Sequence, residues 1–307
     1  MSLKSLNIPV INFVGNRKYA LIFSAILLVV SIASIGFQGL KFGIDFTGGT
    51  LIELGYEKTA DLEDIRSKLT SANYKGTNVQ YFGSDTEVLI QLEPQAASSA
   101  QLSSSIIRML GDGLDVRRVE FVGPKVGEEL TNDGGLAMLY ALIGILIYVA
   151  FRFEYRFALG SIAALVHDVI ITIGIFSLLQ IEFDLTVLAA ILAVIGYSLN
   201  DTIVVFDRIR ENFLSTRHIE PGPIVNDALN QTLSRTLMTS LTTLIVLLAL
   251  FYLGGEVIHS FAGALIIGVV IGTYSSIYVA SSMILALGIS KEDMLPSEKE
   301  KKEIDAR

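Results

Sequence analysis

The chain has 307 residues, no cysteine, 51% hydrophobic side chains and a formal net charge of −8, with a mean hydropathy of +0.57. That apolar share exceeds ordinary globular usage. The acidic balance without a basic stripe excludes a typical nucleic-acid binder, and the missing cysteines exclude disulfides, thiolate nucleophiles and cysteine-ligated metals. His167, His218 and His259 are too far apart in sequence for metal-ligand spacing. There is no P-loop, dinucleotide glycine fingerprint or G-x-S-x-G elbow. No catalytic residue, metal or cofactor is expected, and the chain does not read as an enzyme.

After an N-terminal segment, residues 1–18, the first apolar run covers Tyr19–Phe37 behind Arg17 and Lys18. Ser31-Ile32-Ala33 resembles a cleavage site, so a signal peptide is one reading. A run of 19 residues with five more to follow favours an uncleaved anchor.

Residues 38–134 form a water-soluble segment in which Asp and Glu outnumber Lys and Arg by 15 to 9. Gly43–Leu54 reads as a strand with a bulge or bend at Gly48-Gly49. Leu62, Ile65 and Leu69 predict a helix over Asp61–Ser71, with Thr59 or Asp61 near its cap. Asn78–Phe82 and Glu87–Leu92 alternate as a hairpin around Gly83-Ser84-Asp85. Leu102, Ile106 and Leu110 mark a second helix over Ser98–Leu110, broken at Gly111–Asp115, and Val116–Val122 is a last strand. The order β-α-β-β-α-β is that of a small α+β, ferredoxin-like domain.

Five further apolar runs fall at Leu136–Phe151, Ala158–Leu179, Leu185–Phe206, Leu237–Leu253 and Ala262–Leu287. The predicted fold class is therefore a polytopic α-helical membrane protein: helix 1 at 19–37, the outer domain at 38–134, helices 2–6 within 135–287, and a cytoplasmic tail at 288–307. Arg152 and Arg156 join spans two and three. Arg208, Arg210, Arg217 and Arg235 lie between spans four and five, and Lys291, Lys299, Lys301 and Lys302 follow span six. The connections Gln180–Asp184 and Gly254–Ser260 hold no Lys or Arg. Both termini are thus expected in the cytoplasm and residues 38–134 outside. Pro221-Gly222-Pro223 reads as a turn, Ile224–Leu233 as a short amphipathic surface helix, and Ser290–Arg307 as a disordered tail.

An ionisable group inside the hydrocarbon costs roughly 2.5–3.5 kcal/mol on insertion scales and faces protein or water. Asp201 is the clearest case, toward the cytoplasmic end of span four. Tyr197 and Ser198 lie one turn before it, Asn200 beside it, and Ala189, Ala193, Gly196 and Asn200 form a small stripe that admits another helix. Two readings stand for Asp201: a structural hydrogen-bond acceptor, or a carboxylate that gains and loses a proton as its surroundings alternate. Arg235, before span five, is either its cation or an interfacial anchor. His167 and Asp168, mid-span three, are a proton relay, a contact to the helix of Asp201, or a satisfied structural pair. Asp207, Arg208 and Arg210 read as an interfacial cluster at the cytoplasmic end of span four. The GxxxG of Gly268 and Gly272, with Ser275 and Ser276 behind it, reads as helix packing.

Gly43-Ile44-Asp45-Phe46-Thr47-Gly48-Gly49-Thr50, Glu120-Phe121-Val122-Gly123-Pro124-Lys125-Val126-Gly127, His167-Asp168-Val169, Ile195–Asn212 and Thr232–Thr236 together resemble the SecD/SecF family of bacterial protein-export proteins. The span-four motif resembles the SecF branch. The family lies within the resistance-nodulation-division superfamily. The resemblance implies a proton-motive-force-coupled accessory subunit of the Sec translocase in the bacterial inner membrane. It works with SecD beside the SecYEG channel, with YajC and YidC as neighbours, on translocating preprotein. It also implies that Asp201 and Arg235 are the essential pair, that Gly43, Asp45, Gly48 and Gly49 form the entry motif, and that protons are the coupling ion. Half of a small-molecule exporter and a non-transporting scaffold remain as alternatives.

Overall fold

The computed structural model describes residues 10–74, 76–94, 99–111, 114–215 and 220–294. The readings for Arg217, His218, Lys299, Lys301 and Lys302 fall outside the described residues. Six helices are long and apolar enough to cross a membrane, and each outruns its apolar run. A bilayer selects only the apolar middle of a helix, while backbone pairing continues into the interface.

The first helix, α1 (Phe13–Gln38), starts at an Asn12 cap whose side chain accepts from the Gly15 amide at 2.8 Å. Arg17 and Lys18 therefore lie inside it. The expected strand from Gly43 begins differently: β1 (Lys41–Phe42) leads into a one-turn helix, α2 (Ile44–Thr47), and only then into β2 (Gly49–Gly55). Gly48 and Gly49 have φ of +69° and +135°, values that only glycine adopts readily. A Cβ on Gly49 would lie 2.3 Å from the Leu92 carbonyl oxygen. The pair is a helix stop and a close backbone crossing, not a bulge.

The remaining elements of this region follow the sequence pattern. Asp61 caps α3 (Leu62–Ser71), accepting from the amides of Glu63 and Asp64 at 2.9 and 3.2 Å. Strands β3 (Asn78–Phe82) and β4 (Ser84–Leu92) turn at Gly83 with φ +78°, and α4 (Ser99–Leu110) leads to β5 (Asp115–Val122). The sheet is antiparallel in order β3-β4-β2-β5. On one face Ile52, Leu54, Val88 and Ile90 pack against Ile65 and Leu69 of α3 and Leu102 and Ile106 of α4.

Helix α5 (Pro124–Arg152) starts with Pro124 in its first turn, well before the expected span, and α6 (Tyr155–Leu179) follows. Two residues, β6 (Glu182–Phe183), pair in parallel with β1. Then come α7 (Leu185–Ser215) and α8 (Pro221–Leu253). The expected turn at Pro221-Gly222-Pro223 is the first turn of α8, where proline's missing N–H is no loss. The expected separate surface helix is continuous with span five. Its Ile224, Val225, Ala228 and Leu229 are buried with Phe13 and Phe213, and Asn226 and Asn230 accept from the backbone amides of Val14 and Ile11 at 3.2 and 2.9 Å. Span six is α9 (Glu256–Ser275), a π-helical turn (Ser276–Ala280) and α10 (Ser281–Ala286). The start of the expected disordered tail is docked: Ile289 is buried, and Asp293 pairs with Arg156 and accepts from the Ser290 amide.

Helix α7 packs against α6, α8 and α9, while α1 packs on α6. The helices most enclosed by the chain itself are α6 and α7.

Gly49→Ala is expected to destabilise the sheet region by roughly 1–3 kcal/mol through backbone strain, read as earlier proteolysis on a temperature ramp. Gly36→Ala, in α1 with nothing within 4 Å of its Cβ position, is the silent control.

Candidate functional site

The helix that carries Asp201 is held from both ends. At its N-terminus the Asp184 carboxylate accepts from the Val187 amide at 2.8 Å and the Thr186 hydroxyl at 2.7 Å. Asp45, 140 residues earlier, accepts from the Leu185 amide at 3.1 Å. Two carboxylates thus meet the orphan amides and positive dipole end of α7. Gly43 donates to the Phe183 carbonyl at 2.9 Å. A Cβ on Gly48 would lie 3.0 Å from Cα of Pro124. The entry motif is therefore a joint that seats α2 between α5 and α7. At the other end Nη2 of Arg152 donates to both carboxylate oxygens of Asp207 at 2.6 and 2.7 Å. Arg208 pairs with Glu211 at 2.9 Å and Arg210 is exposed, so Asp207, Arg208 and Arg210 do not form one cluster.

Between these ends lies a buried polar hub. Asp168, 1% exposed, accepts at Oδ2 from Ser198 of α7 at 2.5 Å and from Ser275 of α9 at 2.7 Å. Its Oδ1 lies 2.9 Å from Nδ1 of His167, whose Nε2 lies 3.2 Å from Oγ of Ser24 in α1. Tyr274 lies 3.0 Å from Ser24 and stacks on the His167 ring. Of the sequence readings for His167 and Asp168, this geometry contains two, the contact to the helix of Asp201 and the satisfied structural pair. Tyr197 donates to Ser240 of α8 at 3.2 Å, and Ser240 lies 2.6 Å from the Thr273 hydroxyl. Thr202 and Ser276 are 3.0 Å apart.

Asp201 differs. It is 3% exposed, and its Oδ2 is buried without a hydrogen-bond partner. The charge of Arg235 reaches it, but no ion pair joins them and Arg235 is exposed. Asn200 is also exposed, together with Ala189, Ala193 and Gly196. The small stripe thus faces out of the chain while Asp201 faces in, so the seam and the carboxylate lie on different sides of α7. Sequence reasoning missed Ser24, Ser240, Tyr274 and Thr236. Ser24, Ser31 and Ser34 do form a legible stripe of small residues on α1: Ser31 meets Gly174 and Ser34 bonds Ser177 of α6. Among the described residues no group of His, Asp and Glu could hold a metal ion.

These motifs coincide with known proteins. The family "Protein export membrane protein SecD/SecF, C-terminal" matches residues 103–290 and the "SecD/SecF GG Motif" matches residues 33–60. The chain belongs to the SecD/SecF family. It is 54% identical to the protein translocase subunit SecF of Vibrio alginolyticus, over 95% of this chain and 94% of that protein. It is 47% identical to the SecF subunit of Pseudomonas aeruginosa, over 95% and 96%. A crystal structure of SecDF, a translocon-associated membrane protein from Thermus thermophilus, superposes with TM-score 0.84 at 41% identity over 91% of this chain. A SecDF structure in a super-membrane-facing form gives 0.68 at 38% identity over 98%. The chain spans 39% and 40% of those two SecDF polypeptides.

At the sheet end a cavity of about 390 Å³ is lined by Lys41, Asp45, Gln80, Arg118, Glu120 and Glu182 among others. Lys41 donates to Gln80 at 2.5 Å, tying the β1–β6 joint to the sheet. Burial pushes the Glu182 carboxyl up from its ordinary 4.5, with Lys41 opposing and Asp184 and Asp45 adding. Burial also pulls the Lys41 amine down from 10.5, with Glu182 opposing. Folded Glu182 holds its proton more tightly than unfolded Glu182. Its contribution is fully present below 4.5 and is lost as pH rises through the raised folded value. Lys41 acts in the opposite sense, adding stability as pH rises through its lowered folded value toward 10.5. Hydrogen exchange at the Gly43 amide is therefore expected to slow as pH falls from neutral toward 4.5, after correction for intrinsic rates, and Glu182→Gln to remove that gain.

Proposed function

We propose that the chain is the SecF-type, proton-coupled accessory subunit of a bacterial protein translocase. Its role is late-stage preprotein translocation and release, without covalent chemistry or a cofactor of its own. The observation that carries the proposal is Asp201: a buried carboxylate in the most enclosed of the described helices, with one oxygen lacking a partner and no ion pair to Arg235. A buried carboxylate in that condition is costly to keep charged. A site built this way suits a group whose proton comes and goes as its surroundings change.

In this reading Asp201 binds a proton in one arrangement of the bundle and releases it in another, with Arg235 as the adjustable counter-charge. Each charge moved across 100 mV supplies about 2.3 kcal/mol. The joint between Asp45 and the N-terminus of α7 offers a route by which a rearrangement of α7 reaches the outer domain. The strand order β3-β4-β2-β5 with two helices on one face supports a ferredoxin-like domain within residues 38–134. The distribution of Lys and Arg supports insertion in the inner membrane with both termini cytoplasmic and that domain outside. The SecDF likenesses support SecD as the other half. The SecYEG channel, with YajC and YidC nearby, is the expected setting.

The test is preprotein release in proteoliposomes holding SecYEG, SecD and this chain, with and without a proton gradient. Asp201→Asn is expected to remove the gradient-dependent increment while co-purification with SecD is unchanged. Full retention of the increment by the variant would overturn the role of Asp201.

A further inference from the structure

Five hydroxyls on α8 share one habit, while that of Ser234 is exposed. Those of Thr232, Thr239, Ser240, Thr242 and Thr243 each donate to a carbonyl one turn back on the same helix. Thr236 does not: its hydroxyl oxygen is buried without a partner, on a residue 1% exposed.

The register of α7 against α8 places this hydroxyl. The two helices are joined in sequence at one end and run antiparallel, and the Tyr197–Ser240 bond at 3.2 Å fixes their alignment. One turn farther along α7 from Tyr197 is Asp201, and one turn back along α8 from Ser240 is Thr236, so helix periodicity sets both at the same level. The α7–α8 contact thus holds, at one level, a buried carboxylate oxygen and a buried hydroxyl, neither with a partner. Two such groups are costly separately and complementary together, because a threonine hydroxyl both donates and accepts.

We propose that Thr236 is a positioning residue for the proton on Asp201: its hydroxyl is the partner, directly or through one water, that the carboxylate takes up when ionised and yields when protonated. This rests on the role proposed above for Asp201. Among the described residues no other charged group competes for the place. On α6, Asp168 is committed to Ser198 and Ser275, and His167 to Asp168 and Ser24. On α5, Arg152 is held by Asp207, and Asp293 beyond α10 is held by Arg156. On span six, Tyr274 is bonded to Ser24 and Ala20 of α1, and Tyr278 packs on Phe13. Arg235, adjacent to Thr236 but exposed, is the cation whose charge reaches the site.

The test uses the full complex in proteoliposomes and reads gradient-dependent preprotein release against pH. Thr236→Val keeps the shape and deletes the hydroxyl; Thr236→Ser keeps the hydroxyl and deletes a methyl. Losing a donor to the ionised form favours the protonated form. Thr236→Val is therefore expected to move the pH midpoint upward by about one unit, the equivalent of one hydrogen bond to a charged group, with Thr236→Ser near wild type. If Thr236 serves packing alone, Val retains the wild-type midpoint and Ser is the damaged variant, and the proposal fails. An Asp201→Asn control separates the levels. Should it keep the full gradient response, the role of Asp201 and this inference fall together. Should it lose the response while Thr236→Val leaves the midpoint in place, only the inference falls.

Discussion

Three helices share the carboxylate of Asp168, and the bundle's geometry follows from that sharing. The hydrocarbon supplies no water, so each buried polar atom must be met by the chain itself. Asp168 of α6 is met by Ser198 of α7 and Ser275 of α9, and through His167 the chain of contacts continues to Ser24 of α1. These distances set the rotation of α7 and α9 about their axes, since each helix must turn its serine, Ser198 or Ser275, toward Oδ2 of Asp168. They also explain the glycines opposite. A Cβ on Gly272 would lie 3.0 Å from Cβ of Ser198 and 3.5 Å from Oδ2 of Asp168, and one on Gly268 would lie 2.1 Å from a methyl carbon of Val194. The GxxxG is the steric condition for the hydrogen bonds beside it. Removing one of these hydroxyl donors leaves a buried acceptor unmet and costs about 1–3 kcal/mol.

At 31 residues, α7 is about 46 Å long at 1.5 Å per residue, longer than the ~30 Å hydrocarbon. Its two ends are fastened by different chemistry. The sheet end is seated by carboxylates on free amides, from Asp184 and the distant Asp45. The opposite end is held by an arginine–carboxylate pair, in which one nitrogen of Arg152, Nη2, reaches both carboxylate oxygens of Asp207, a charge-assisted contact stronger than a neutral hydrogen bond. A helix anchored in this way moves as a rod, and the glycine-rich entry motif at its head sits where such motion passes into the β1–β6 joint and the sheet.

How much of this the sequence discloses depends on the range of the interactions. The six spans and the small outer helices were legible because apolar periodicity is local. The Asp61 cap and the Gly83 turn were legible for the same reason. The Gly43–Leu54 segment was misread as one strand because two successive left-handed glycines look alike whether they bulge a strand or end a helix; the difference lies in Leu92 and Pro124, which crowd them. The role of Asp45 carries no local signal, since its partner is 140 residues away. Asp207, Arg208 and Arg210 read as one cluster by proximity in sequence, yet consecutive helical positions diverge by about 100°, and Asp207 turns to α5 while Arg210 turns outward. The small stripe of Ala189, Ala193, Gly196 and Asn200 faces outward, away from Asp201, for the same angular reason. Among the many hydroxyls of α8, nothing in the sequence separates Thr236 from its neighbours, because satisfaction of a hydroxyl is a property of the packed helix.

The contrast between the two intramembrane carboxylates sets where this bundle can give. Asp168 has its acceptor positions filled from three helices, and the levels of α7 at Tyr197, Ser198 and Thr202 are each tied by hydroxyl contacts to α8, α6 or span six. Asp201, between Ser198 and Thr202 on the same helix, is bare at Oδ2. A gain or loss of charge at Asp168 would be resisted by every helix around it, whereas at Asp201 it meets an interface with unmade bonds on both sides. Helix α8 is held to α7 at Ser240 above that level, and to the start of α1 by Asn226 and Asn230 below it. A change of protonation at Asp201 therefore acts on the stretch of α8 between two fixed points, and that stretch carries Thr236 and Arg235. Ser161 of α6 and Ser282 of α10 also lack partners, but among the described residues Asp201 is the one buried carboxylate left so, and the unmade bonds around it lie where a change of charge has most to gain from movement.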